Sequence, residues 1–197
     1  MSNFVVLSAA KFEALPLIKI LEKNAVNFEY CEIGIGSINA AKKSLDLRLK
    51  NKKVIFIGTC GVFAKDFQPH LLTASRCIWS PPSVRNNTSQ LIDNIDPDYD
   101  LSATTYLTKN LPKAIIACSP SITIDETLVP PIDENVAENL ELYSIAEKLL
   151  EAKEVSIILG VTNRVCSEGR SQWLKNHKII ADMTANYLDQ LIDYFNN

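Results

Sequence analysis

Basic charge, histidine and long apolar runs are all scarce in this sequence, and each shortage argues against a class of protein. The 197 residues hold 20 Lys and Arg against 23 Asp and Glu, so a basic face for nucleic acid is not expected. Two histidines cannot build a His-rich metal centre. No apolar run approaches the roughly 20 residues that span a bilayer, and the first residues lack the features of a secretory signal. We therefore expect a cytoplasmic protein that binds no metal, membrane or nucleic acid.

Paired cysteines are missing as well. The chain has five, an odd number, and no two of them have CxxC spacing. Several follow apolar residues in strand-like runs, as buried free thiols do. The cysteines therefore predict a reducing compartment, with neither a disulfide framework nor a zinc site.

Apolar residues make up 47% of the chain and charged residues 22%, as in an ordinary folded domain. We find no repeat and no linker, so we expect one domain over residues 1–197. Short apolar runs alternate with helical patterns, which predicts a mainly parallel sheet covered on both faces. The predicted fold class is a three-layer α/β domain with a mixed central sheet. Predicted strands cover 4–10, 26–33, 54–58, 71–79, 113–118 and 155–161, predicted helices 11–23, 38–49, 139–150 and 172–195, and a long loop 80–100.

Ligands of open α/β sheets collect beyond the carboxyl ends of the strands, so polar residues there are candidates for a site. Glu13 follows the first strand, where it is either functional or a solvated acid favoured by the helix dipole. Two Gly-rich turns, 34–37 and 58–61, are either plain tight turns or cradles for an anion or a sugar. They supply Ser37, Gly58, Thr59 and Gly61 as candidates.

Three further segments carry polar groups. Asn163 ends the most apolar strand, where its amide could cap the turn or read a purine edge. Glu141 lies at the margin of a helical apolar stripe, so it either reaches out to solvent or has a buried partner. Residues 119–122, Ser-Pro-Ser-Ile, form a turn when considered alone.

Together these stretches resemble the purine nucleoside phosphorylase and nucleosidase superfamily. SIILGVTNRV, residues 156–165, is similar to the strand of trimeric phosphorylases whose Asn hydrogen-bonds the purine, which places that role on Asn163. Asn176-His177 stands at the spacing of the pair whose His contacts the ribose 5′-hydroxyl. ENLELYSIAE, residues 138–147, resembles the nucleosidase helix start whose second Glu holds the ribose hydroxyls, here Glu141.

The remaining motifs follow in the same order along the chain. VVLSAAKFEAL, residues 5–15, resembles the first strand and turn of the nucleosidases, whose Glu assists the attacking water, here Glu13. GIGSINAA and IGTCG match the Gly-rich turns of both groups. The sequence departs from the pattern at the phosphate-binding Arg, which is Phe56, and at the base-stacking aromatic, which is Ile122. The base-reading Glu is Thr123, and the purine-protonating Asp of nucleosidases is Asn163.

The resemblance implies cleavage of the N-glycosidic bond of a purine nucleoside. We expect a purine nucleoside phosphorylase of purine salvage that acts on 6-oxopurine nucleosides. It would use phosphate as co-substrate and no cofactor, and it would assemble as a homo-oligomer. The alternatives are a hydrolytic nucleosidase, of the methylthioadenosine/S-adenosylhomocysteine or futalosine type, and a non-catalytic nucleoside-binding protein. The implied catalytic residues are Asn163, Glu141 and Glu13. The implied substrate contacts are His177, Ile122, Ser121, Thr123 and Thr162, and phosphate or sugar would meet Thr59, Gly58, Gly61 and Ser37.

Overall fold

Strands and helices alternate along most of the chain in the computed structural model, which describes residues 3–64, 67–92, 98–103, 105–132 and 135–196. The strands are β1 (Phe4–Ser8), β2 (Glu29–Glu32), β3 (Lys53–Val62), β4 (Leu71–Trp79), β5 (Asp98–Asp100), β6 (Lys113–Cys118), β7 (Val136–Glu138) and β8 (Glu154–Arg164). The helices are α1 (Lys11–Lys23), α2 (Ser37–Ser44), α3 (Pro82–Arg85), α4 (Leu142–Leu150) and α5 (Gly169–Asp189), followed by a 3₁₀ turn, Ile192–Asn196.

The strands form one mixed sheet. β1 lies parallel to both β2 and β3, and β3 lies parallel to β8 along its whole length. β8 then pairs antiparallel with β4, β4 parallel with β6, and β6 parallel with β7. β7 returns antiparallel to the end of β3, so these five strands close into a circuit. Because β1, β3 and β8 run in the same direction, their carboxyl ends meet at one edge of the sheet.

Helices cover both faces of this sheet. α1 and α5 pack together on one face, where Leu17 and Leu188 are buried among sheet residues. α2 and α4 pack together on the other face, over Phe56 and Leu159. With both faces covered, a central strand can be apolar throughout, and all five residues of β1 are buried. The predicted three-layer α/β class with a mixed sheet is confirmed.

Several predicted boundaries shift for identifiable reasons. The predicted bounds of α1, β4 and β6 agree with the structure, whereas β3 and β8 are longer than predicted because each extends the other's ladder past residue 58. α4 begins at Leu142 rather than at residue 139, since the Asn139 side chain caps it. β7 was not predicted because a strand of three residues is too short to show an alternating pattern of apolar and polar side chains. The predicted loop 80–100 contains α3 and β5, and its residues 93–97 lie outside the described part.

The described helices include none that is both long enough and apolar enough to cross a bilayer. All five cysteines have free thiols, and four of them are buried; Cys31 is only partly covered.

Close contact between β8 and α5 depends on the missing side chain of Gly160. A Cβ atom at this position would lie 1.9 Å from Cγ2 of Ile180, which is almost fully buried. We predict that Gly160→Ala lowers the free energy of unfolding by about 1–3 kcal/mol, the usual cost of overpacking. Urea denaturation measures this cost.

The matched background is Ile180→Ala, which removes Cγ2 and leaves room for the new methyl group. In that background Gly160→Ala should cost much less than in the wild-type chain, because the two changes share one space. Equal costs in both backgrounds would contradict the proposed close contact.

Candidate active site

A cavity of about 310 Å³ opens where β1, β3, β7 and β8 end. This volume suits a small organic ligand. It brings together seven of the residues predicted from the sequence, which are Glu13, Thr59, Gly61, Ile122, Thr123, Glu141 and Asn163. The other lining residues are Ala9, Phe12, Ile35, Cys60, Glu138, Asn139, Leu140, Gly169, Arg170 and Trp173.

Glu13 lies in the first turn of α1, with only 7% of its surface exposed. Its Oε2 accepts a hydrogen bond from the backbone N–H of Ala10 at 3.2 Å. Its Oε1 accepts from the Thr59 hydroxyl at 3.2 Å. Burial, and next the negative charge of Glu141, raise the pKa of Glu13 from 4.5 to about 7. Of the two interpretations open from the sequence, the solvated surface acid is excluded.

Glu141 is the second buried carboxylate of the cavity, and it is 6% exposed. The backbone N–H of Gly36 donates to its Oε1 at 2.7 Å, and the Asn139 amide donates to its Oε2 at 3.0 Å. Gly36 has a φ of +85°, a conformation that glycine adopts without strain. Burial raises the pKa of Glu141 also. Glu141 therefore has buried partners and does not reach out to solvent.

Asn139 holds this corner of the cavity in place. Its Oδ1 accepts from the backbone N–H groups of Glu141 and Leu142, at 2.9 and 2.8 Å, which caps the start of α4. Its Nδ2 donates to Glu141 and also to the backbone carbonyl of Thr59, at 3.0 Å in each case. One side chain thus ties the end of β3 to the Glu141 carboxylate.

Trp173 completes a relay of hydrogen bonds to Glu13. Its indole Nε1–H donates to the Thr59 hydroxyl oxygen at 3.1 Å, and that hydroxyl donates to Glu13. Because the indole can only donate, it directs the Thr59 proton towards the carboxylate. Sequence reasoning missed Trp173, since an aromatic residue within a long helical pattern reads as a packing residue.

Asn163 is the next-to-last residue of β8 and lines the cavity, and each polar atom of its amide makes one hydrogen bond. Its Oδ1 accepts from the Thr162 hydroxyl and its Nδ2 donates to the Arg164 carbonyl, both at 2.8 Å. A second N–H and a second lone pair remain for a ligand. Glycines flank the amide: a Cβ at Gly61 would lie 2.7 Å from Nδ2, and one at Gly169 3.2 Å from it. The turn-capping and ligand-reading interpretations are thus compatible.

Five predicted site residues do not line the cavity. The His177 ring stacks on Trp173 at 4.5 Å between centroids, so the indole stands on the cavity side. Ser37 is buried at the start of α2, and Gly58 lies behind Thr59. The Ser121 carbonyl accepts from Ser119, and the buried Thr162 hydroxyl bonds to the Cys60 carbonyl and to Asn163.

Arginine is nearly absent from the cavity wall. Phe56, at the position where the family resemblance places a phosphate-binding Arg, is fully buried in the core. Arg85 is buried too, but its guanidinium forms an ion pair with Glu138 at 3.0 Å. Arg76 pairs with Asp98 on β5. Among the described lining residues, Arg170 is the one arginine, and its guanidinium lies 4.8 Å from the centre of the Trp173 ring.

Glu138 is the third carboxylate of the wall, and sequence reasoning missed both this residue and its ion pair with Arg85. The residue belongs to β7, which no periodicity revealed, and its partner lies 53 residues earlier in the chain. Across the described ranges, no group of three His, Cys, Asp or Glu side chains could hold a metal ion.

The fold matches those of solved nucleosidase and futalosine hydrolase structures. One similar structure is a variant of the Helicobacter pylori 5′-methylthioadenosine/S-adenosylhomocysteine nucleosidase (MTAN) with 5′-methylthioadenosine in its active site. Its TM-score is 0.75 at 16% identity, and the match covers 98% of this chain and 99% of that one. Futalosine hydrolase from H. pylori gives 0.73 at 14% identity, covering 98% and 100%.

A third similar structure is the MTA/SAH nucleosidase of Streptococcus pneumoniae in complex with 8-aminoadenine. It gives a TM-score of 0.74 at 15% identity, covering 96% of this chain and 97% of that one. No family model and no curated protein matches the chain. The structural likeness therefore defines the fold alone.

The raised pKa of Glu13 predicts a pH-dependent loss of stability. The folded protein keeps a proton up to about pH 7 that the unfolded chain releases near pH 4.5. Stability contributed at this site therefore falls as pH rises through that interval. A Gln cannot titrate, so Glu13→Gln should gain up to about 3 kcal/mol over the wild type between pH 4.5 and pH 8.

Urea denaturation of both proteins at several pH values measures this difference. The matched control is Glu22→Gln, on the exposed side of the same helix. This control removes a carboxylate from the same helix without touching the buried acid. A Glu13→Gln difference that does not change with pH would contradict the raised pKa of Glu13.

Proposed function

We propose that this protein is a hydrolytic nucleosidase, which cleaves the N-glycosidic bond of a purine nucleoside with water. The observation that carries the proposal is the Glu13 carboxyl, which is buried at the cavity, bonded to Thr59 and has a pKa of about 7. A group that titrates near neutrality can take a proton from water and later return it. The similar structures bear the names of nucleosidases and a hydrolase, which supports the same choice.

The charges of the cavity favour water over phosphate as the nucleophile. Glu13, Glu138 and Glu141 all line it, and Arg85 is committed to Glu138. A phosphate ion beside Thr59 would face Glu13 and Glu141, which we call the acidic pair. Charge-assisted hydrogen bonds hold phosphate most strongly, and no guanidinium stands at the Phe56 position to supply them. We therefore prefer the hydrolytic alternative to the phosphorylase that the sequence led us to expect.

Each catalytic candidate then has one task. Glu13, once ionised, removes a proton from the water that attacks the anomeric carbon. Glu141 accepts hydrogen bonds from the ribose hydroxyls and opposes the positive charge that develops on the sugar, as carboxylates do in glycoside cleavage. Asn163 donates its free N–H to the base as negative charge develops there. This division of tasks rests on the family resemblance together with the observed placement of all three side chains at one cavity.

The part of the cavity wall nearest His177 is where the family resemblance places the 5′ substituent of the nucleoside. The resemblance assigns the 5′-hydroxyl to His177, but Trp173 and Phe12 stand on the cavity side of that ring. The indole N–H is already given to Thr59. The rings of Phe12 and Trp173 offer apolar contact there, so we propose that the substrate carries an apolar group at its 5′ position.

Product analysis tests the reaction. Purified protein is incubated with inosine, adenosine, methylthioadenosine and a futalosine-type nucleoside, with and without phosphate. We predict release of base at the same rate in both conditions, with free pentose as the second product. Faster release with phosphate and formation of pentose 1-phosphate would show a phosphorylase. Binding without release would show a non-catalytic protein.

Two substitutions connect this activity to the acidic pair. Glu13→Gln should lower kcat about 10²–10⁴-fold, the usual contribution of a general base. Glu141→Gln should lower kcat/KM by about 2–4 kcal/mol of transition-state stabilisation. Glu22→Gln, on the same helix as Glu13, is the control and should keep full activity. Unchanged rates in either cavity variant would contradict the assigned tasks.

A further inference from the structure

The Glu138 carboxylate lines the cavity, yet the reaction as described above has no task for it. Its side chain is 6% exposed, and the Arg85 side chain behind it is 2% exposed. The two form an ion pair at 3.0 Å between Arg85 Nη2 and Glu138 Oε1. A buried pair of this kind stabilises little compared with an apolar filling of the same space. The position of Glu138 at the cavity wall therefore indicates a role in ligand binding.

Arg85 is held from several sides, which fixes the carboxylate beside it. Its Nε donates to the Ser80 carbonyl at 2.9 Å, and its Nη1 donates to the Leu128 carbonyl at 2.5 Å. Its Nη2 donates to the Thr123 hydroxyl at 3.1 Å as well as to Glu138. The guanidinium thus cannot turn towards the cavity without breaking four hydrogen bonds.

Thr123 gives both of its donors to the same carboxylate. Its backbone N–H donates to Glu138 Oε2 at 3.0 Å, and its hydroxyl donates to Oε1. Oε1 is therefore fully occupied, whereas Oε2 receives one of these bonds and keeps a further lone pair. At this part of the wall, a ligand meets the free acceptor of Glu138, because both donors of Thr123 are already used.

We infer that Glu138 is a specificity-determining residue, which selects purines that present an N–H group to this wall. The inference rests on the proposed function in one respect, namely that Ile122, Thr123 and Asn163 mark the base end of the cavity. A 6-oxopurine carries N1–H, which can donate to Oε2, and guanine adds a 2-amino group. Adenine has an unprotonated N1 at that position, which would face a carboxylate without any donor between them.

Asn163 complements this choice from the other side of the base. Its free N–H can donate to a carbonyl oxygen or to a ring nitrogen of the purine. The carbonyl oxygen of a 6-oxopurine can thus accept from Asn163, and its N1–H can donate to Glu138. A site that leaves a buried polar group unpaired discriminates far more strongly than one that differs in apolar contact alone. The preferred substrate class is therefore a 6-oxopurine nucleoside.

Binding of the free bases tests the inference without requiring turnover or a particular 5′ substituent. Calorimetric titration of the wild-type protein should show hypoxanthine bound at least about tenfold more tightly than adenine. In Glu138→Gln the ratio should fall to about one or reverse, because a Gln amide can donate to adenine N1. Equal affinities in the wild type, or a ratio unchanged in Glu138→Gln, would overturn the inference.

The matched control is Glu126→Gln. Glu126 also pairs with an arginine, Arg164, but its side chain is 58% exposed and lies outside the cavity wall. This variant should keep the wild-type ratio. If Glu138→Gln does not fold, because Arg85 loses its buried partner, the wild type is titrated with 1-methylhypoxanthine instead. Loss of the N1–H should then cost about tenfold or more in affinity, and undiminished binding would overturn the inference.

The two proposals fail in different ways. If no nucleoside releases its base while the two free bases are still discriminated through Glu138, the hydrolytic function is wrong and the specificity assignment stands. If base is released but hypoxanthine and adenine bind equally, the function stands and the role of Glu138 is wrong.

Discussion

Burial of two carboxylates, Glu13 and Glu141, at one cavity is the constraint on which the site depends. Both side chains are more than nine-tenths covered, and burial raises the pKa of each. The negative charge of Glu141 raises the pKa of Glu13 further. A proton held near neutrality is a loss for stability above pH 4.5, yet it is what an acid–base catalyst at physiological pH requires. Stability and chemistry are thus opposed at this one place.

The surrounding elements supply hydrogen bonds that keep both acids in position despite this repulsion. Gly36 turns its backbone N–H onto Glu141, while Asn139 links that acid to the end of β3. On the other side, Trp173 orients the Thr59 hydroxyl towards Glu13. These donors come from four separate segments. They meet because β1, β2, β3 and β8 run in the same direction and β7 ends against β3. The sheet topology therefore makes this pair of buried acids possible.

Sequence alone predicted those parts of the site that follow from local pattern. Alternating strands and helices gave the layers, and polar residues at strand ends, with the motif resemblance, pointed to Glu13, Glu141 and Asn163. It could not predict contacts made by backbone groups, which have no signature in side-chain pattern. Trp173 was hidden in a helix, and Glu138 lies on a strand too short to show a period. The expectation of phosphorolysis gave weight to Asn163 and His177, whereas the assembled cavity is acidic and places Trp173 in front of His177.

The most direct test of this account is a carboxyl-carbon NMR titration of Glu13 in the wild type and in Glu141→Gln. We predict that the Glu13 signal titrates near pH 7 in the wild type, because it is buried beside a second acid. Removing the charge of Glu141 should lower that midpoint while leaving it above the ordinary 4.5, since burial remains. A Glu13 signal that titrates near 4.5 in the wild type, or that does not respond to Glu141→Gln, would contradict the effect of burial beside Glu141 and the catalysis built on it.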